Sequence, residues 1–223
     1  MKKIVITIDG PAGAGKTTVS KMLAEKMNYN YVDTGALYRG IAYETIATGT
    51  DPEDASALNA LCENLDLKFV VTDNGSRLVS GGRDISDEIR TPEISMRASD
   101  VSAKPVVRAC LLGIQKKLGE EKAVVFEGRD MGTVVFPDAE MKFYLDASIE
   151  VRAKRRFLEL KEKQEISLEE VENDMRTRDV NDSSRKIAPL KPAEDAVKVD
   201  ATESGVEKVI ETMLAHIKNR MAS

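Results

Sequence analysis

The chain of 223 residues has no tryptophan, a single histidine (His216) and only two cysteines. Aromatic residues make up 4% of it, too few for the stacking platforms that hold single-stranded nucleic acid. Basic residues do not outnumber acidic ones. The formal net charge is −5, whereas a general nucleic-acid binder is usually basic, so no nucleic-acid partner is expected. One histidine and two distant cysteines supply neither a metal-ligand set nor a disulfide framework. Cys62 and Cys110 fall in predicted helices and read as free thiols, buried or half-buried. No apolar run approaches the roughly 20 residues of a membrane-spanning helix. The run Ile4–Ile8 is also too short for a signal peptide. A cytoplasmic protein without a membrane partner is expected, and a monomer.

Apolar residues are 42% of the chain, enough for a sizeable core. Short β-branched runs alternate with helical patterns. Strands are predicted at Ile4–Ile8, Tyr29–Val32, Ala123–Phe126, Met141–Leu145 and Ala196–Val199. Helices are predicted at Lys16–Met27, Ala36–Thr48, from Pro92, Pro105–Leu118, Ile149–Lys163, Glu169–Asp179 and Val206–Met221. Asp51-Pro52-Glu53 reads as a cap and first turn of a further helix running to Leu65. Between these lies a small β unit, residues 67–85, with a hairpin turn at Asp73-Asn74-Gly75 and a second turn at Gly81-Gly82. The pattern predicts an α/β fold, a five-stranded parallel sheet flanked by helices, with an inserted antiparallel β unit. Segments just after strand ends gather on one edge of such a sheet, where ligands bind.

Gly10-Pro11-Ala12-Gly13-Ala14-Gly15-Lys16-Thr17 follows a strand and opens a helix, the context that makes a phosphate-binding loop specific. Gly13 and Gly15 clear space for backbone N–H groups to close on phosphate oxygens. Lys16 is expected at the β and γ phosphates and the Thr17 hydroxyl on Mg²⁺, with Thr18 a second nearby hydroxyl. An Asn-Lys-x-Asp base-reading motif is missing, which argues against a GTPase. Leu78–Arg83 superficially approaches a transporter signature but sits in the β unit. A small-molecule kinase remains, with a nucleotide-operated switch protein as the alternative. Asp33–Arg39 places Thr34, as a candidate helix cap, close to Tyr38 and Arg39, a set suited to a phosphorylated acceptor. Glu127–Thr133 puts an Arg-Asp pair between glycines at a strand end. Residues 152–185 mix arginines, lysines and acids in the pattern of a lid that closes on phosphates.

Several stretches resemble the bacterial cytidylate kinases: residues 8–16, Asp33–Arg39, Glu88–Thr91, Gly128–Ala139 and Arg178–Leu190. The resemblance spans essentially the whole chain. It implies one kinase domain over 1–223, with an acceptor-binding region near 36–118 and a lid near 150–186. It implies transfer of phosphate from ATP to CMP or dCMP with Mg²⁺. By resemblance, Ser99, Arg108 and Asp130 read cytosine, while Thr34, Tyr38, Arg178 and Asp182 line the sugar side. Arg39, Arg129 and Arg185 clamp the acceptor phosphate, and Lys16, Arg129, Arg178 and Arg185 serve catalysis. The sequence departs from some members in its less charged 180–184 stretch and in Thr34, which stands where others carry serine but keeps the hydroxyl.

Overall fold

The computed structural model describes residues 3–72, 75–162 and 165–222. Its main sheet has five strands: β1 (Val5–Asp9), β2 (Asn30–Asp33), β6 (Val124–Gly128), β7 (Met141–Asp146) and β8 (Val197–Asp200). Their order is β2-β6-β1-β7-β8. β1 is parallel to both neighbours, and β7 to β8. Every residue of β1 and β6 is buried, which explains their unbroken apolar runs: helices cover both faces. The five-stranded sheet and small antiparallel unit expected from the pattern are both present.

Register sets the chemistry of one edge. Asp9 pairs with Gly128 and Tyr144, and Asp146 with Asp200. The strands therefore end together, and the segments leaving them emerge side by side. Helices α1 (Lys16–Met27) and α8 (Val206–Ala222) pack on the sheet through a core that includes Ile6, Ile8, Leu23, Phe143, Ile210 and Met213. Helices α6 (Ile149–Leu160) and α7 (Leu168–Ser184) meet through Ala153, Val171 and Met175. Ser167 and Glu170 close a reciprocal capping box at the start of α7.

The chain divides into two compact units, one built from residues up to Tyr31 and from Lys122 onward, the other from Val32–Glu121. The second unit holds α2 (Thr34–Thr48), α3 (Ala55–Glu63), α4 (Pro92–Ser102) and α5 (Pro105–Gly119). It also holds the antiparallel strands β3 (Leu67–Thr72), β4 (Gly75–Ser80) and β5 (Arg83–Asp84). Its core gathers Leu37, Ile41, Leu58, Leu78, Ile89 and Leu111.

Several boundaries differ from the sequence reading. The cap of α2 is Asp33, whose carboxylate accepts from Ala36 N at 3.1 Å; Thr34 is the first helical residue. Helix α3 starts after Asp54, which accepts from the backbone N–H groups of Ser56 and Ala57, while Asp51-Pro52-Glu53 forms a separate turn. Helix α7 runs on to Ser184, beyond the expected Asp179. Helix α6 ends at Leu160; Lys163, expected within it, lies outside the described residues, as do Asp73 and Asn74 of the expected hairpin turn.

Candidate active site

The phosphate loop depends on close approach. A Cβ on Gly10 would stand 1.9 Å from the Leu145 carbonyl oxygen, so only glycine lets the loop leave β1 beside β7. Gly13 has φ +73° and faces Arg152 and Met175. The first turn of α1 carries no acidic residue, so the positive end of its dipole is uncompensated. Lys16 is 6% exposed and donates to the Pro11 carbonyl at 2.7 Å. Its pKa is pushed down to about 7, first by burial and then by the neighbouring Arg129 charge, against the opposing pull of Glu127. Arg129 and Arg178 lower it while Glu127 and Asp182 raise it, so charges of both signs surround the buried amine.

Glu127, which the sequence reading left without a role, closes the other side. One oxygen accepts from the Thr17 hydroxyl at 2.9 Å and the other from Tyr31 at 2.6 Å. Thr17 and Thr18 are exposed. Thr17 with Glu127 forms a hard oxygen donor set of the kind Mg²⁺ takes. Two arginines of the segment expected as a lid face the loop instead. Arg152 is buried and braces the loop, donating to the Ala12 and Ala147 carbonyls and pairing with Asp179 at 2.8 Å. Arg155 donates to the Ala201 carbonyl at 2.8 Å. Its Nη1 is buried without a partner among the described residues and faces Gly15. Only the spacing of arginines on α6 hinted at either.

Asp9 ends β1 and accepts at 2.8 Å from both the Met131 and Gly132 backbone N–H groups. It thereby anchors the π-helical turn Met131–Val135 that follows Arg129-Asp130. Burial pushes its pKa up to about 6 despite these hydrogen bonds. Asp130 itself is 2% exposed.

Arg129 does not simply stand beside Asp130. Its Nε donates to Asp182 at 2.8 Å, and Arg185 donates to the other Asp182 oxygen. Asp182 is 1% exposed. Burial opposes its charge, yet Arg129, Arg185 and Arg178 hold its pKa below the ordinary carboxylate range. Arg178 bears on both Lys16 and Asp182. Lys16, Glu127, Arg129, Arg178, Asp182 and Arg185 thus form one electrostatic cluster, drawn from three separate stretches of chain.

The second unit carries the remaining expected residues. Asp33 pairs with Arg39 at 2.7 Å; burial opposes the Asp33 charge, but Arg39 keeps its pKa depressed. The Arg39 Nε is buried without a partner among the described residues. Thr34 and Tyr38 are buried on α2. The Arg108 guanidinium lies 5.8 Å from the Tyr38 ring centroid, a cation–π contact, and donates to the Ser102 carbonyl at 3.4 Å. Ser102 in turn donates to the Ser99 carbonyl. Arg108 and Tyr38, far apart in sequence, therefore meet inside the unit, and Arg108 reaches the end of α4, the helix that carries Ser99.

Residues 6–219 match the sequence model of the family described as cytidylate kinase. A cytidylate kinase of Syntrophotalea carbinolica is 46% identical over 220 residues, covering 98% of this chain and 94% of the relative. One of Geobacter sulfurreducens is 44% identical over 218 residues, covering 97% and 94%. Among solved structures, shikimate kinase from Acinetobacter baumannii in complex with shikimate aligns with a TM-score of 0.50 at 16% identity, covering 98% of this chain and 94% of that one. At that identity the likeness concerns the fold alone. Sequence identity over nearly the full length, and the phosphate loop on its parallel sheet, agree: the chain belongs to the cytidylate kinase family.

Proposed function

We propose that the protein transfers the γ-phosphate of ATP to CMP or dCMP, giving ADP and CDP or dCDP. The observation that carries this reading is the cluster of Lys16, Arg129, Arg178 and Arg185 around the buried Asp182, beside the phosphate loop. It is built to neutralise phosphoryl oxygens on donor and acceptor alike.

The acceptor is already a phosphate. Its second pKa is about 6, so near neutrality it attacks as a dianion and needs no general base. The one histidine agrees: His216 lines a groove with Glu140 and Asp195, residues just before the β7 and β8 starts, at the sheet edge opposite the phosphate loop. Catalysis then rests on in-line positioning and charge neutralisation. Backbone N–H groups of Gly10–Thr18 hold the donor phosphates, and Lys16 bridges the β and γ groups. Mg²⁺, held by Thr17 with Glu127 beside it, would neutralise phosphate charge. Arg155 faces the same loop with a donor to offer. Arg39, Arg129 and Arg185 clamp the acceptor phosphate, and Arg178 adds charge at the transferring group. Thr34, Tyr38 and Asp182 serve the sugar side.

Asp130 accepts from the cytosine amino group, while Ser99 and Arg108 donate to N3 and O2. Uracil would set a carbonyl against the carboxylate, which gives the discrimination a physical basis. Closure of the α6–α7 segment over the phosphates would exclude water and suppress ATP hydrolysis. Among the described residues no helix is long and apolar enough to cross a membrane. A cytoplasmic monomer acting on small nucleotides fits this reading.

The test is a coupled ADP-release assay with ATP, Mg²⁺ and a panel of CMP, dCMP, UMP, AMP, GMP, shikimate and gluconate. CMP or dCMP should stimulate release strongly and in a Mg²⁺-dependent way. Stimulation by a sugar acid in their place, or by none of the panel, would sink the proposal.

A further inference from the structure

Asp9 holds the Arg129-Asp130 pair from both ends. Before the pair, its backbone stands in register with Gly128, where β1 runs parallel to β6. After the pair, its two carboxylate oxygens accept the Met131 and Gly132 N–H groups at 2.8 Å each. Arg129 and Asp130 are therefore slung between two attachments to one residue. Asp9 also immediately precedes Gly10, where the phosphate loop begins. All of these residues belong to the first unit.

The segment that follows is irregular. The Asp130 carbonyl accepts from Val134 N at 2.9 Å and from Val135 N at 3.2 Å, and Met131–Val135 winds as a single π-helical turn. Such turns are rare and gather at functional sites. A helical start leaves its first N–H groups without acceptors inside the turn, and here Asp9 supplies them. A carboxylate suits two donors because both its oxygens accept, whereas an amide offers one acceptor. The fit is close: a Cβ on Gly132 would stand 2.9 Å from Thr7 Oγ1 and 3.4 Å from Asp9 Oδ2.

We propose that Asp9 is a positioning residue for acceptor selection, fixing Asp130 against the cytosine amino group and Arg129 against the acceptor phosphate. The inference rests on the reading of Asp130 as the cytosine reader. Both Asp9 oxygens are taken up by backbone N–H groups, so Asp9 acts through the peptide chain. The tie is not there for stability alone. Asp9 is buried, and burial pushes its pKa up to about 6 despite the two hydrogen bonds. Its charge at neutral pH therefore opposes folding.

In Asp9→Asn the turn loses one of its two acceptors, while the backbone pairing of β1 with β6 is kept. The peptide after Asp130 is then free to shift, and Asp130 and Arg129 shift with it. The donor phosphates, held by the backbone of the phosphate loop, should feel little of this. Acceptor selection is thereby separated from donor binding.

The experiment measures steady-state ADP release by the full chain at about pH 7.5, where Asp9 is ionised, with CMP, UMP and ATP each varied. The proteins are the unaltered chain, Asp9→Asn, Asp130→Asn and the double variant. Asp9→Asn should lower kcat/KM for CMP roughly tenfold, with the KM for ATP held within about twofold. The ratio of kcat/KM for CMP to that for UMP should fall at least about threefold. In the Asp130→Asn background the second substitution should leave that ratio within about twofold, because no reader remains to be misplaced. A general folding defect would instead move ATP and CMP alike. Equal changes in the two KM values, an unchanged ratio, or the same fall in ratio in both backgrounds would overturn the proposal. An unchanged ratio in Asp130→Asn alone would sink the cytosine reading and this inference with it. A lowered ratio there with Asp9→Asn inert sinks the inference only. Gly132→Ala presses the same turn away from Asp9 and Thr7 and carries the same test, with the same refuting outcomes, if Asp9→Asn does not fold.

Discussion

Asp9→Asn tests the link between β1 and the turn after β6. Both Asp9 oxygens accept backbone N–H groups at 2.8 Å, and the residue is 4% exposed. Burial outweighs those bonds and raises its pKa from 3.8 to about 6. The folded chain therefore binds the Asp9 proton more tightly than the unfolded chain between about pH 4 and pH 6. Because the unfolded state binds fewer protons there, stability from this group is greatest below the window and falls as pH rises through it. The shift amounts to about 3 kcal/mol. Asparagine cannot titrate, so the variant is spared that loss. Its amide, however, turns an NH₂ toward one of the two N–H groups, and one lost acceptor costs about 1.5–3 kcal/mol. The two effects nearly cancel at pH 7, while near pH 4 only the lost acceptor remains. Urea unfolding of both proteins in steps from about pH 4.5 to 7.5 reads the difference, in which all other titrations drop out. The variant should be the less stable protein at the acid end and close to equal at neutrality. Difference curves flat to within about half a kcal/mol would refute the reasoning.

Further outcomes follow from the cation cluster. Lys16, held near pKa 7 by burial and by Arg129, should regain its proton when phosphates arrive. ATP binding at about pH 8 should then take up close to one proton, read by calorimetry in buffers of different ionisation enthalpy. Lys16→Met should abolish both the uptake and turnover while staying folded; a wild-type heat independent of buffer would contradict the assignment. The same depressed pKa means the free protein gains stability from Lys16 as pH rises from about 7 toward 10.5, since the unfolded chain there binds more protons. Asp182→Asn leaves Arg129 and Arg185 without their shared counter-charge and should cost about 3 kcal/mol in denaturant unfolding. It should also raise the KM for CMP more than the KM for ATP, and equal changes in both would show that Asp182 does not orient the acceptor clamp.

Local chemistry alone determined much of this protein. A β-branched run ending in Asp-Gly, a glycine loop and a helix opening on Lys16 can be read directly, because each depends on neighbours within a few residues. Helix α1 and the main strands lie where their periodicity puts them. The caps were harder. Asp33 and Thr34, or Asp51 and Asp54, offer similar short polar side chains, and backbone packing chose between them; Leu58 of α3 is 1% exposed. Asp9, Glu127 and Asp182 show what only the tertiary structure decided. In sequence each is an acid at the end of a strand or within a charged helix. Their partners lie 122, 110 and 53 residues away: the Met131 N–H, the Thr17 hydroxyl and the Arg129 guanidinium. Sheet register and helix packing bring such groups together, and no local pattern encodes them.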